Sequence, residues 1–244
     1  MFQLLNKKIR LAKSYYNQAK IQENNNRFDK AIPLLNQANQ IFQKNRCYLH
    51  SSQCFLDLSF INSKFGDYHK ALELNQSAIL AVRIQDRSII NDVKIENVTI
   101  TYHFNKANLS FHLGNYRRSL KLYDALKSKW RDRLSNSQLI DINFNIASLY
   151  MFQKQYEKAL ESFKILKIEY EKYDNQDEIE NCDLNIATAY MFLKEYGSSY
   201  KLFQKLRYSQ NINFQAKSCM GICHLLKYQG NYELSKQYCK EAIN

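Results

Sequence analysis

Three asparagines, Asn105, Asn145 and Asn185, recur at 40-residue steps. A carboxamide carries both a hydrogen-bond donor and an acceptor. A row of them could therefore satisfy the main chain of an extended peptide whatever that peptide's sequence. The same steps bring Phe104, Phe144 and Leu184 one residue before the asparagines, and Asn108, Ser148 and Thr188 three residues after them. Phe111, Met151 and Met191 come next, followed directly by His112, Phe152 and Phe192. Exposed apolar surface of this kind marks binding sites, and methionine adapts to irregular partners. The chemistry expected of these residues is non-covalent recognition: apolar anchors with amides beside them.

Other constellations point to less. Cys47, His50 and Cys54 share one helical face, but three ligands from a single helix rarely close a tetrahedral metal site. Cys219, Cys223 and His224 read as packing positions. Glycine-rich phosphate loops, nucleophile elbows, HExxH and paired-carboxylate motifs are absent from the sequence, so no catalytic residue, metal or cofactor is expected. The segment 117–133 holds seven basic residues against Asp124 and Asp132, and Trp130 within it could stack on a base. A repeat-coded RNA reader needs polar specificity residues in every unit. The apolar series above disfavours that reading, and salt titration would separate it from apolar anchoring.

The elements that must position these residues follow from a larger repeat. An aromatic precedes a small residue by three positions six times: Phe28/Ala31, Tyr68/Ala71, Tyr116/Ser119, Tyr156/Ala159, Tyr196/Ser199 and Tyr232/Ser235. The aromatics are 40, 48, 40, 40 and 36 residues apart, and self-similarity at such a period marks stacked repeats. In 143–166, Ile146, Ala147 and Tyr150 form one apolar stripe, and Ala159, Phe163 and Leu166 form a second. That 3.6-residue rhythm predicts two amphipathic helices. Ala147 and Ala187 let the partner helix come close, and the aromatic wedges the corner. A hairpin of this kind cannot bury both faces alone, so hairpins stack.

These segments resemble tetratricopeptide repeats, through Ala147-Ser-Leu-Tyr150, Tyr156 and Ala159-x3-Phe163, and likewise through Ala187-Thr-Ala-Tyr190, Tyr196 and Ser199-x3-Phe203. The resemblance implies an all-α solenoid of six stacked antiparallel helical hairpins in a right-handed superhelix, as in the longer repeats of kinesin light chain and Rap-type proteins. The expected units are 13–46, 52–86, 96–133, 138–174, 178–210 and 214–244, forming one domain over 1–244. It further implies that the first helices line a concave groove and that Asn105, Asn145 and Asn185 form a peptide-holding ladder in it. The aligned positions Tyr16, Leu56, Phe104, Phe144, Leu184 and Met220 hold no Lys or Arg, which argues against the Lys-containing carboxylate clamp of chaperone-tail binders. Four of the five spacings are 40 residues or more, against the usual 34. The extra length at 84–97 is read as a longer helix or a loop. Closing prolines are missing, so corners should rely on residues such as Asn175 and Asn211, and Pro33 should bend its helix slightly. Without the family's capping helix, Cys239, Ala242 and Ile243 lack a cover, which implies a further subunit or a C-terminal segment beyond 244.

Composition sets the remaining limits. With 45% hydrophobic and 24% charged residues the chain reads as globular. No run approaches the roughly 20 apolar residues of a membrane span, and the first residues lack a secretory core. A cytoplasmic location is expected, with the six cysteines as reduced core thiols. Asn75, Asn97 and Asn108 head glycosylation-like triplets that carry no weight without secretion. The net charge of +12 is read as lysine on solvated faces. The functional expectation is a non-catalytic adaptor binding an extended or helical peptide segment of a protein in the concave groove, with an intracellular peptide-signal receptor module or a basic nucleic-acid-binding solenoid as the alternatives.

Overall fold

The computed structural model describes residues 2–84 and 92–241. Among the described residues there are twelve helices and no strand. They are α1 (Phe2–Asn24), α2 (Phe28–Lys44), α3 (Tyr48–Lys64), α4 (Tyr68–Ile84), α5 (Asp92–His112), α6 (Tyr116–Trp130), α7 (Asn136–Phe152), α8 (Tyr156–Glu171), α9 (Gln176–Phe192), α10 (Tyr196–Leu206), α11 (Ile212–Tyr228) and α12 (Tyr232–Glu241). Each corner aromatic of the repeat is the first residue of an even-numbered helix. The chain divides into two compact units, 1–132 and 133–244.

Each unit is three hairpins, α1/α2, α3/α4 and α5/α6 in the first, α7/α8, α9/α10 and α11/α12 in the second. Within a unit every helix packs on its chain neighbours, and α3 also meets α5 as α9 meets α11. This is the nearest-neighbour packing of a stacked repeat.

The hairpin corners are built alike. Two residues before each corner aromatic the backbone turns left-handed, at Asn26, Gly66, Gly114, Lys154, Lys194 and Gly230. The next amide then reaches back five residues: Arg27 N–H to Gln22 O, Asp67 to Asn62, Asn115 to Ser110, Gln155 to Tyr150, Glu195 to Tyr190 and Asn231 to Leu226. This closure satisfies the orphan carbonyls of the first helix and fixes where the second one starts. Corners between hairpins use what the sequence suggested: Asn175 caps α9 by accepting from Glu178 N–H, and Asn211 caps α11 by accepting from Asn213 N–H. Ser135 and Gln138 form a reciprocal capping box on α7.

Just beyond each corner the two helices touch through small residues. Ala31, Ala71, Ser119, Ala159 and Ser199 are fully buried, opposite Ala19, Ser59, Ala107, Ala147 and Ala187. Where one of the pair is serine, its hydroxyl donates to the other's carbonyl. Ser59 bonds Ala71 O at 2.7 Å, Ser119 bonds Ala107 O at 2.7 Å, Ser199 bonds Ala187 O at 2.8 Å and Ser235 bonds Cys223 O at 2.9 Å. Larger side chains then fill the even-numbered helices on one stripe, such as Leu35 and Phe42, Tyr123 and Leu126, Phe163 and Leu166, or Phe203 and Leu206.

The corner aromatic ties one hairpin to the next as well as wedging its own. Tyr68 stacks on His112 of α5 at 4.7 Å, Tyr156 stacks on Phe192 of α9 at 4.7 Å, and Phe28 meets Phe65 edge-on at 6.0 Å. The expectation of reduced cysteines fails at one pair, because Cys223 and Cys239 are disulfide-bonded with Cα atoms 5.7 Å apart. They occupy α11 and α12 positions that face each other in every hairpin, as Ala187 faces Phe203. Cys54, Cys182 and Cys219 are buried free thiols, and burial pushes those of Cys54 and Cys182 up to about 12. Asn75 is fully buried and donates to Tyr102 O, so no glycan can sit there. Of the long 84–97 segment, 85–91 lie outside the described residues and the rest after them belongs to α5. Ala242 and Ile243 also lie outside them.

Two outcomes follow. Lys154 and Lys194 hold φ of 61° and 64° where three corners use glycine, so Lys154→Gly and Lys194→Gly should each stabilise by roughly 0.5–1 kcal/mol in urea unfolding. A loss of stability would contradict the corner assignment. Gly221 sits inside α11 with Phe203 so close that an added Cβ would lie 2.5 Å from the ring. Alanine gains about 1 kcal/mol of helix propensity there, but overpacking costs roughly 1–3 kcal/mol. Gly221→Ala should therefore unfold at lower urea than wild type, and equal or higher stability would refute the close contact.

Candidate functional site

The first helix of each hairpin carries a face that the core does not use. Helical spacing puts residues three and seven apart on one side. On α7 that side holds Asn145, Ser148 and Phe152, on α9 it holds Asn185, Thr188 and Phe192, and on α5 it holds Asn105, Asn108 and His112. The structure treats the three rows differently.

In the second unit the polar part of the row stays largely available, while Phe192 is stacked on Tyr156 as His112 is on Tyr68 in the first. Asn145 is half-buried and its carboxamide makes no hydrogen bond. Asn185 donates to Asn181 O at 2.8 Å, which leaves its own carbonyl oxygen as an acceptor. Ser148 and Thr188 donate back to Phe144 O and Leu184 O within their helices, a local bond that leaves the hydroxyl oxygens able to accept. Phe152 is 56% exposed and Phe192 41% exposed. On α11, Met220 and Tyr228 are exposed too, while Gly221 takes the place of the asparagine because Phe203 needs the space.

In the first unit the equivalent row on α5 is mostly spent internally. The Tyr123 hydroxyl bonds Asn108 Oδ1, and His112 is stacked on Tyr68. Asn105 remains without a hydrogen bond and half-buried.

The other expected groove residues turn toward the hairpin interior. Phe104 lies edge-on to Tyr123 at 5.9 Å and Phe144 edge-on to Phe163 at 5.5 Å. Leu184 packs against the cluster of Ala187, Phe203, Ile222 and Leu226. Met191 is buried and Met151 packs on the Phe163 cluster. These side chains wall the face from beneath.

Charged groups missed by sequence reading lie at the same register in the first unit. Lys20 on α1 reaches Asp57 Oδ1 on α3 at 3.1 Å and Glu23 at 2.6 Å. Asp57 stands in the aligned asparagine position and Lys20 in the aligned Asn108 position, so the signal was an opposite-charge pair at adjacent rows. Burial raises the Asp57 carboxyl above its ordinary 3.8, with Lys20 opposing. Burial, with Asp57 beside it, also raises the Tyr16 phenol.

In the second unit Asp183 is buried on α9, held by Lys167 of α8 at 2.7 Å and Lys205 of α10 at 3.0 Å. That triad spans three consecutive helices and is a structural clamp: it compensates the carboxylate that burial would otherwise leave unpaired.

Other sequence candidates find ordinary places. His50 stacks on Phe42 at 5.0 Å, and Cys54 is buried. Among the described residues no group of three His, Cys, Asp or Glu side chains could hold a metal ion. Trp130 is only 8% exposed, tilted on His103 and covered by the Lys129 ammonium at 4.5 Å, so its face is not open to a base. Among the described residues no helix is long and apolar enough to cross a membrane.

Comparison with known proteins agrees with this architecture. Residues 12–45 and 140–164 match the tetratricopeptide repeat model, and they cover parts of α1/α2 and α7/α8. No curated protein matches the sequence. Among solved structures, the apo form of RapI is similar with a TM-score of 0.71 at 14% identity, over 95% of this chain and 96% of that one. A Rap protein complexed with competence and sporulation factor is similar with a TM-score of 0.65 at 15% identity, over 97% of this chain and 64% of that one. The kinesin light chain TPR-like repeats of Podosopora anserina give 0.59 at 17% identity, over 86% of this chain and 97% of that one. At such identities the likeness is one of fold. Hairpins closed at six matching corners, with repeat segments recognised in both units, give this chain the fold of tetratricopeptide-repeat proteins.

Proposed function

We propose that the chain is a non-catalytic interaction module that holds a peptide segment of another protein against first-helix faces, with α7 and α9 of the second unit as its main contacts. One observation carries this reading: on both helices an incompletely satisfied carboxamide stands in line with an exposed phenylalanine, Asn145 with Phe152 and Asn185 with Phe192. A peptide laid there gains main-chain hydrogen bonds from the amides and a place to bury apolar side chains. A pair of bound rings would supply most of the affinity, since aromatic anchors dominate interface energetics.

The likeness to RapI over almost the full length of both chains supports a narrower version, in which the segment is a short signalling peptide. The Rap protein solved with competence and sporulation factor is an example of that fold holding such a factor. For this chain the narrower version makes a free short peptide, rather than a long partner, sufficient for binding.

The test is a titration against peptides selected on the wild-type chain from a random peptide library. Asn145→Ala combined with Asn185→Ala should weaken the selected peptides roughly tenfold or more, about 1.4 kcal/mol, with helicity and melting temperature almost unchanged. Unaltered affinity would remove these faces as the site. Unfolding of the double variant would make the asparagines structural and end the assignment. Affinity that collapses in moderate salt would point instead to phosphate-type charge recognition.

A further inference from the structure

A cavity of about 390 Å³ in the first unit is walled by α4, α5 and α6. Three cations line it, Arg83 from α4, Lys106 from α5 and Lys129 from α6. Ile79, Val82 and Ile95 supply its apolar lining. Among the described residues no carboxylate lines the cavity, and no ion pair engages any of the three cations. The volume lies at the small end of ligand pockets, which combine an apolar lining with a few charged or polar groups.

Two of the cations are seated on aromatic rings instead of acids. The Lys106 ammonium lies 5.5 Å from the centre of the Tyr102 ring and donates to the Tyr102 hydroxyl at 3.3 Å. The Lys129 ammonium lies over Trp130 at 4.5 Å. His103 stands between them, 5.0 Å from Tyr102 and 5.1 Å from Trp130 by ring centroid. A ring holds an ammonium without using up its donor hydrogens.

The donors are also within reach. Arg83 and Lys129 are exposed and Lys106 is half-buried. The Tyr102 hydroxyl accepts from Lys106 and keeps its own proton to donate, whereas the Thr99 hydroxyl is spent on Ile95 O at 2.8 Å. His103 adds no further charge at neutral pH, because burial, with Lys106 and Lys129 beside it, holds the imidazole below its usual range. The cavity is thus rich in donors and positive charge, and what it lacks is an anion.

We infer that this cavity binds a small phosphate monoester with an apolar ester group, its phosphoryl oxygens on Arg83, Lys106 and Lys129 and the ester group against Ile79, Val82 and Ile95. A guanidinium takes two phosphoryl oxygens through its planar fork, and ammonium groups act on the remaining oxygen as point charges. At pH 8 a phosphate monoester carries about two negative charges, so it answers three cations better than a singly charged sulfate ester does. The apolar lining distinguishes such an ester from bare phosphate. This site lies wholly in the first unit and is independent of the peptide face on α7 and α9.

Titration of the full chain with phenyl phosphate at pH 8 tests it, followed by heat and by the emission of Trp130, the single tryptophan of the sequence. Saturable binding is expected, and both signals should share one midpoint because the anion draws the Lys129 ammonium away from the indole. Phenyl sulfate, with one charge fewer, and inorganic phosphate, without the ring, should each bind roughly tenfold more weakly. In calorimetry, Arg83→Gln and Lys129→Met, both at exposed positions, should weaken phenyl phosphate by a similar factor. Lys121→Met removes the same charge from an exposed position of α6 outside the cavity and should leave the affinity unchanged. An equal loss in Lys121→Met would reduce the binding to general attraction by the net charge of +12 and overturn the proposal. So would inorganic phosphate that binds as tightly as phenyl phosphate, or heat without a change in Trp130 emission. A 5′-phosphorylated oligonucleotide that binds more tightly than phenyl phosphate would assign the cations to nucleic acid instead. None of these results bears on peptides selected against the second unit.

Discussion

Everything in this molecule depends on how closely two antiparallel helices can approach twelve residues apart in sequence. The contact is made by alanine or serine on both sides, and any larger side chain would hold the backbones apart. Four of the six pairs add a serine hydroxyl bonded to the facing carbonyl. Serine at these places is then a small residue that brings its own partner, which is how a polar group tolerates full burial. Cys223 opposite Ser235 shows the same rule with a disulfide-bonded cysteine in the small position.

That approach explains the corner and the stack. A close pair needs a short, invariant turn, and the left-handed residue with its five-residue back-bond supplies one. The corner aromatic is thereby delivered to the end of the hairpin, where it can stack on the first helix of the next, as Tyr68 does on His112 and Tyr156 on Phe192. With one side of the first helix given to the small contact and its C-terminal ring to the stack, the polar positions of the remaining side have little structural duty. Polar groups there can serve a partner, as the half-buried Asn145 carboxamide can, while Asp183, turned inward, has two lysines.

The fold was legible because the small contact and the corner aromatic recur in the chain at readable intervals, and each aromatic proved to begin a helix. The site was legible only in part. Alignment on the corners gave Asn145 and Asn185 matching positions on successive first helices, but it could not say that Phe144 and Leu184, one residue away, turn 100° around the helix into the hairpin. Nor could it show that Tyr123 would claim Asn108, since that bond depends on which ring each hairpin places on its second helix. The Cys223–Cys239 bond was hidden by its 16-residue separation. It becomes visible once the facing positions of the hairpin are known from Ala187 and Phe203. Lys20 and Asp57 were hidden likewise, because their pairing needs the offset between adjacent first helices.

The most direct measurement is the urea unfolding free energy of Ala147→Leu, a change confined to one fully buried small contact. The close approach predicts a loss of roughly 1–3 kcal/mol from overpacking. Stability equal to or above that of the parent chain would mean that the helices have room to spare, and the contact on which the rest is built would not exist.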